Sequence, residues 1–326
     1  MSYDLLLLSE QGATMRYQVY DFFAARPNYT ATDDDIIYEN PETGVHFQWI
    51  FVPYHLDELN EESEQIHPHE IGHLRLNFFR PTAFAKEAAI ELLALAQALP
   101  VQFYDLPQGL IYDTFAKSEQ LTAPYAEHAQ KAVSALMASN QELPTIEREP
   151  TRALDAIWEW NFNREALTES LGEDLFVPKI DFFQFDDQLK TGVVWGDAVP
   201  MLCPYVDIVV LYRVETAPVT GWFRRKGPKV DVLTFEEFKE TFSDWFSPDT
   251  RAPNAVSCSP FDADGLFSTA VSNPLTRDIP QAGHKGKHSL EMLDFSAVLD
   301  TEICVPISFG DVTVMSKPIE GHSDEK

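Results

Sequence analysis

Five residues in the first quarter of the chain have the types and spacing of a hydrolytic metal centre. His69-Glu70-Ile71-Gly72-His73 matches the pattern HExxH. On a helix, imidazoles four residues apart share one face and can hold a zinc ion, while the glutamate polarises a metal-bound water. A third ligand must then come from elsewhere. The extension that supplies a third histidine needs glycine at 76 and histidine at 79, where this chain has Leu76 and Phe79. Glu87 or Glu91 on the following helix would be the alternative donor.

The elements around the motif do not suit that chemistry. Pro68 precedes it, Gly72 lies inside it, and Leu74, Leu76 and Phe78 alternate with Arg75 and Asn77 immediately after. That alternation is the period of a half-buried strand running over His73–Phe79. A helix confined between Pro68 and the strand would have only about six residues, too few to hold two ligands rigidly. Five of the nine histidines (His46, His55, His67, His69 and His73) fall in this neighbourhood. They are expected to be structural or surface groups that compensate nearby acids as pH changes, or bind metal adventitiously. A zinc-dependent hydrolase using His69, Glu70 and His73 is the enzymatic alternative. No catalytic residue and no cofactor is assigned.

Other motifs carry less. Asp262-Ala263-Asp264-Gly265 begins like a calcium loop, but Leu266 and Phe267 stand where a ligand and a glycine belong, so a turn is expected. Arg224-Arg225-Lys226-Gly227-Pro228-Lys229 is the one basic cluster, expected to pair with acids of this chain or of a second copy. Cys203, Cys258 and Cys304 are widely spaced and odd in number, which fits buried thiols in a reduced, cytoplasmic protein. The run Leu5–Leu8 is far shorter than the roughly 20 residues of a membrane span, and Asp4 beside it is unlike a signal peptide.

Strand patterns occur at Tyr3–Leu8, Ile36–Tyr38, Val45–Pro53, Val101–Tyr104, Ile180–Phe185, Thr191–Trp195, Val206–Val214, Ile303–Phe309 and Val312–Met315. Helices are expected at Gly12–Ala25, from Pro81-Thr82 to Pro100, at Pro124–Ser139, at Arg152–Leu171 capped by Thr151, and at Phe235–Phe246. Thr234 and Glu237 have capping-box spacing ahead of the last of these. The alanines of Ala85, Ala88, Ala89 and Ala96 would let their helix approach a sheet closely. Strands and helices mixed without regular alternation indicate an α+β sandwich of mixed or antiparallel sheet with packed helices, in two halves. The expected division is an acid-rich half at 1–143, a linker at 144–151, a second α+β half at 152–319 and a polar tail at 320–326.

Charge is the strongest compositional signal. The 326 residues include 24 Lys+Arg and 52 Asp+Glu, a net charge of −28, with 44% hydrophobic and 12% aromatic residues. That much core material excludes an acidic disordered chain. The acid surplus argues against a nucleic-acid or membrane-surface partner and for a basic protein. Between Arg26 and Arg75 lie 11 acids and no Lys or Arg, among them Asp33, Asp34, Asp35, Asp57, Glu58, Glu61, Glu62 and Glu64. Ordinary surfaces mix the two signs, so these eight are the candidate partner-binding residues.

Several segments also resemble a known group of bacterial proteins. They are Leu76-Asn77-Phe78-Phe79-Arg80-Pro81, Trp158-Glu159-Trp160-Asn161-Phe162-Asn163, Asp174-Leu175-Phe176-Val177-Pro178, Asp197-Ala198-Val199-Pro200 and Pro204-Tyr205-Val206-Asp207. The chain is similar to the immunity proteins of type VI secretion and polymorphic-toxin loci, which are cytoplasmic and paired with nuclease effectors. The likeness spans both halves and carries no catalytic or ligand-binding signature onto particular residues. It implies a non-enzymatic antitoxin whose partner is a cognate toxin, probed first among basic nucleases. An effector chaperone or adaptor is the other non-enzymatic reading, and a homodimer is the other assembly considered.

Overall fold

Four consecutive leucines fit a strand buried on both faces, and that is where the chain puts them. In the computed structural model, which describes residues 1–32, 35–51, 69–138, 147–172, 175–196, 199–213, 229–243, 246–248, 255–258 and 290–305, β1 (Ser2–Leu8) lies inside a seven-stranded sheet. Leu5 and Leu7 join the main core, and Leu6 and Leu8 are buried on the other face. The remaining strands are β2 (Tyr29–Ala31), β3 (Asp35–Glu39), β4 (His46–Phe51), β5 (Glu70–Asn77), β6 (Gln102–Asp105) and β7 (Leu110–Tyr112). Their order is β2-β3-β4-β5-β1-β6-β7, antiparallel throughout.

Three helices accompany this sheet: α1 (Ala13–Ala24), α2 (Thr82–Ala98) and α3 (Glu119–Ala138). On α1, Met15, Val19 and Phe23 recur every four residues and are its buried positions, and Phe23 stacks on Trp49 of β4 with centroids 4.3 Å apart. α2 is buried nearly all round, because α3 and a later helix pack on it as well as the sheet. Its alanines therefore admit helices as well as a sheet. α3 begins before Pro124, the residue expected to start it; the proline sits inside the helix and has no N–H to donate to the carbonyl one turn earlier.

The second half opens with β8 (Glu147–Glu149), α4 (Thr151–Phe162) and α5 (Arg164–Leu171). The helix expected over Arg152–Leu171 breaks at Asn163, and this lets Leu167 and Leu171 turn onto Val177, Leu202 and Ala255. Then come β9 (Asp181–Phe185), β10 (Gln188–Gly196), β11 (Met201–Pro204), β12 (Ile208–Arg213), β13 (Lys229–Thr234), α6 (Phe235–Thr241), β14 (Phe246–Pro248), β15 (Ala255–Cys258), β16 (Leu290–Leu293) and β17 (Val298–Asp300). A mixed sheet runs β13-β12-β10-β9-β16, with β10 and β12 parallel. β11-β15-β14 and β17-β8 form smaller sheets. Asp186 and Asp187 both take positive φ in the β9–β10 turn, as a tight hairpin requires. The capping box of Thr234 and Glu237 on α6 is present.

The fold is α+β, with sheets packed against helices. One hydrophobic cluster runs from Tyr3 and Leu5 through Leu154 and Ile157 to Trp195 and Phe238, so the core is continuous across the expected linker. The strand expected from Ile303 is a turn as far as Val305, with Ile303 and Cys304 buried; the rest of it, the strand at Val312–Met315 and the polar tail lie outside the described residues.

The end of β17 and the turn after it supply two helix caps. α2 and α4 each begin Pro-Thr, and neither has a side-chain cap of its own, so Thr151 does not cap α4 as expected. Asp300 accepts from the Thr82 N–H at 2.8 Å and its hydroxyl at 2.7 Å. Glu302 does the same for Thr151, at 2.9 and 2.7 Å. Carboxylates placed there satisfy orphan donors and complement the helix dipole. Asp300 is fully buried, so replacing it with alanine strands both Thr82 donors. D300A should lower the unfolding free energy by about 2–3 kcal/mol in urea titration. E302A, at an exposed cap, should lose clearly less.

Candidate functional site

The HExxH residues lie on and beside β5, not on a helix. In an extended chain, residues four apart are separated by about 13 Å along the strand. His69 and His73 therefore cannot share an ion as the peptidase arrangement requires. A bulge opposite Leu7 and Leu8 interrupts the alternation of β5, so Glu70 and His73 meet although they are three residues apart. Gly72 allows the close approach of β4: a Cβ there would lie 2.8 Å from the Ile50 carbonyl oxygen.

What forms is a polar ladder across β5 and β1. The His73 Nδ1 faces Glu70 Oε1 at 3.2 Å, and Arg75 Nη2 faces His73 Nε2 at 3.4 Å. Arg75 Nε donates to Asp4 at 3.2 Å, and the Ser2 hydroxyl donates to the same carboxylate at 2.9 Å. With Nδ1 donating to Glu70 and Nε2 accepting from Arg75, the imidazole has both nitrogens engaged. It offers neither a base to a nucleophile nor a lone pair to a metal in this arrangement. Among the described residues, no group of three or more His, Cys, Asp or Glu is arranged to hold a metal ion.

The proposed third ligands are engaged in packing. Glu87 is 1% exposed and accepts from Tyr38 Oη at 2.6 Å, Asn40 Nδ2 at 2.7 Å and Trp158 Nε1 at 2.7 Å. It thus ties α2 to β3, to the β3–β4 turn and to α4. Burial pushes its carboxyl up from the ordinary value, and the bonds from Tyr38, Trp158 and Asn40 oppose that shift. Glu91, one turn further on, accepts two bonds from Arg26 and one from Tyr29.

Of the candidate partner-binding acids, Asp35 is described. It lies on β3, accepts from Gln48 Nε2 at 2.7 Å, and sits at the rim of the same sheet face as the ladder. Asp33, Asp34, Asp57, Glu58, Glu61, Glu62 and Glu64 lie outside the described residues, as do His55, His67 and the calcium-like turn at 262–265. His46 is at the start of β4, edge-on to Phe84. Residues 224–228 of the basic cluster also lie outside.

Seven of the described bases lie within ion-pair distance of an acid of the same chain. Arg26 holds Glu91, Arg75 holds Asp4, Lys86 holds Asp155, Lys131 holds Glu127, Arg164 holds Glu42, Lys179 approaches Asp181 and Lys239 approaches Glu236. The Arg164–Glu42 pair is between residues 122 apart and joins α5 to the β3–β4 turn. Sequence reading missed these pairings and the Glu87 cluster, because no local pattern announces a contact between distant residues. No helix among the described residues is long and apolar enough to cross a membrane. No family model matches the chain, and neither a curated protein nor a solved structure matches it.

Two outcomes follow from this geometry. Zinc content measured by elemental analysis should be the same in H73A as in the parent protein. The second concerns pH. Folded Glu87 holds its proton more tightly than an unfolded glutamate, so its contribution to stability is fully present below the unfolded carboxylate value and is lost as pH rises through the folded value. The slope of unfolding free energy against pH above about 4.5 should therefore be less negative in E87Q than in the parent. The slope is the readout, independent of the absolute stability of E87Q.

Proposed function

We propose that the chain is a non-enzymatic immunity protein that binds and neutralises a basic toxic effector, a nuclease being the first class to test. The observation that carries this reading is the distribution of charge. Seven described bases hold acids of the same chain, while a stretch of 48 residues, 27–74, has 11 acids and no Lys or Arg. Arg164 holds one of those acids, Glu42, while the other six pairs hold acids outside the stretch, so the pairing of these seven bases leaves most of the surplus in place. The field it leaves repels polyanions and attracts a basic groove of the kind that holds phosphates.

The resemblance to immunity proteins of toxin loci supports the same reading, and the strand placement of HExxH removes the main support for a zinc hydrolase. An acidic protein seated in a nuclease groove competes directly with nucleic acid. Its cytoplasmic location and any pairing with a second copy belong to the same proposal.

Reversing Asp57, Glu58, Glu61, Glu62 and Glu64 to lysine tests it. Binding to the purified effector encoded beside this protein should weaken by at least about a hundredfold, with the circular dichroism spectrum unchanged. Equal affinity after reversal would remove those five residues from the interface.

A further inference from the structure

A cleft of about 410 Å³ lies where the two halves meet, between the β3–β4 turn and the segment from β16 to the 3-10 turn Phe295–Ala297. Its volume is in the range that takes a small ligand or a long side chain. The back is closed by Asn161, whose amide exchanges two 2.9 Å bonds with the backbone of Ile180. Phe182 and Phe295 stack at 6.1 Å along one wall, and Met292 stands 63% exposed at the edge.

The charged groups lining it are Glu39, His46, Lys179, Asp181 and Asp294. Lys179 is largely engaged in joining the halves: its ammonium donates to the Pro41 carbonyl at 3.0 Å and lies 3.6 Å from Asp181. Asp294 accepts from the Ser296 N–H, capping the 3-10 turn. Three carboxylates thus face one lysine and one imidazole. Burial pushes the Asp181 carboxyl up, Lys179 and Arg164 pull it down, and the negative charge of Asp294 adds to the rise. In the antiparallel register that pairs Phe182 with Leu293, Asp181 and Asp294 come next, so the two aspartates are neighbours at the cleft.

We propose that this cleft binds an alkyl cation, an ammonium or guanidinium group carried on a short apolar stem. The cation would sit between Asp181 and Asp294 and relieve their mutual repulsion. The apolar stem would lie along the side of the Phe182–Phe295 pair that lines the cleft, with Met292 closing over it. Two sources share this chemistry: an arginine or lysine of a protein, and a free polyamine. The site is separate from the acid-rich stretch and does not rest on the immunity reading.

Titration of the full-length protein, followed by calorimetry and by amide chemical shifts, tests the proposal. The probes are spermidine, the peptide acetyl-Gly-Arg-Gly-amide, and its uncharged citrulline counterpart. The expected result is that at least one cation binds and shifts the Phe182 and Leu293 amides, while the citrulline peptide does not. Tighter binding of the peptide names a protein side chain as the source, and tighter binding of spermidine names a polyamine.

Because a chain of net charge −28 attracts cations everywhere, the controls are matched in charge. D181N/D294N should weaken binding at least tenfold, E39Q should weaken it less, and D186N/D187N in the exposed β9–β10 turn should leave it unchanged. Equal binding of the citrulline peptide would overturn the proposal. So would an equal loss in both double variants, or the absence of shifts at Phe182 and Leu293.

Discussion

A carboxylate that sees almost no water joins α2, the large sheet and α4. Glu87 stays there because three donors, from Tyr38, Asn40 and Trp158, converge on its two oxygens. Leaving the oxygens of a buried carboxyl without those donors would cost about 1–3 kcal/mol each. The arrangement therefore works only if all three elements are in register. Asp300 repeats the logic at the start of α2, where the last described strand returns to cap a helix of the first half. Arg164 on Glu42 and Lys179 on the Pro41 carbonyl fasten the same β3–β4 turn from the other side. The two halves have their own sheets but one interior.

This use of charge shapes the surface. Acids that hold the fold together are buried or paired, and seven described bases lie within ion-pair distance of an acid of the same chain. Other described acids, such as Glu119, Glu165, Glu169 and Glu240, are exposed. Mutual repulsion among a surplus of acids lowers stability somewhat, and on the proposed reading the same field would shorten the search for a basic partner. The polar ladder from Glu70 to Ser2 shows how close this chemistry comes to a catalytic motif without being one. The residue types match a metal site, but the period of the backbone differs.

Local patterns were legible in the sequence, and distant pairings were not. The strand at Tyr3–Leu8, the helix within Gly12–Ala25 and the Thr234–Glu237 box all depend on neighbours, and each formed as read. The strand nature of HExxH was signalled by Leu74 and Leu76, and it reaches further back than His73 because Gly72 lets β4 approach. Thr151 looked like a cap because threonine before a helix usually is one; the true acceptor, Glu302, is 151 residues away. Trp158 gave no hint that its indole would meet a glutamate 71 residues earlier. The cleft was equally hidden, since Asp181 and Asp294 come together only when β16 pairs with β9.

If uncompensated acidity is the means of recognition, as proposed, ionic strength tests it most directly. Stopped-flow association of the parent protein with the proposed basic effector should slow at least about tenfold between low salt and half-molar salt, with dissociation changing little. An association rate that stays flat across that range would mean that the field of this acidic surface plays no part in finding the partner.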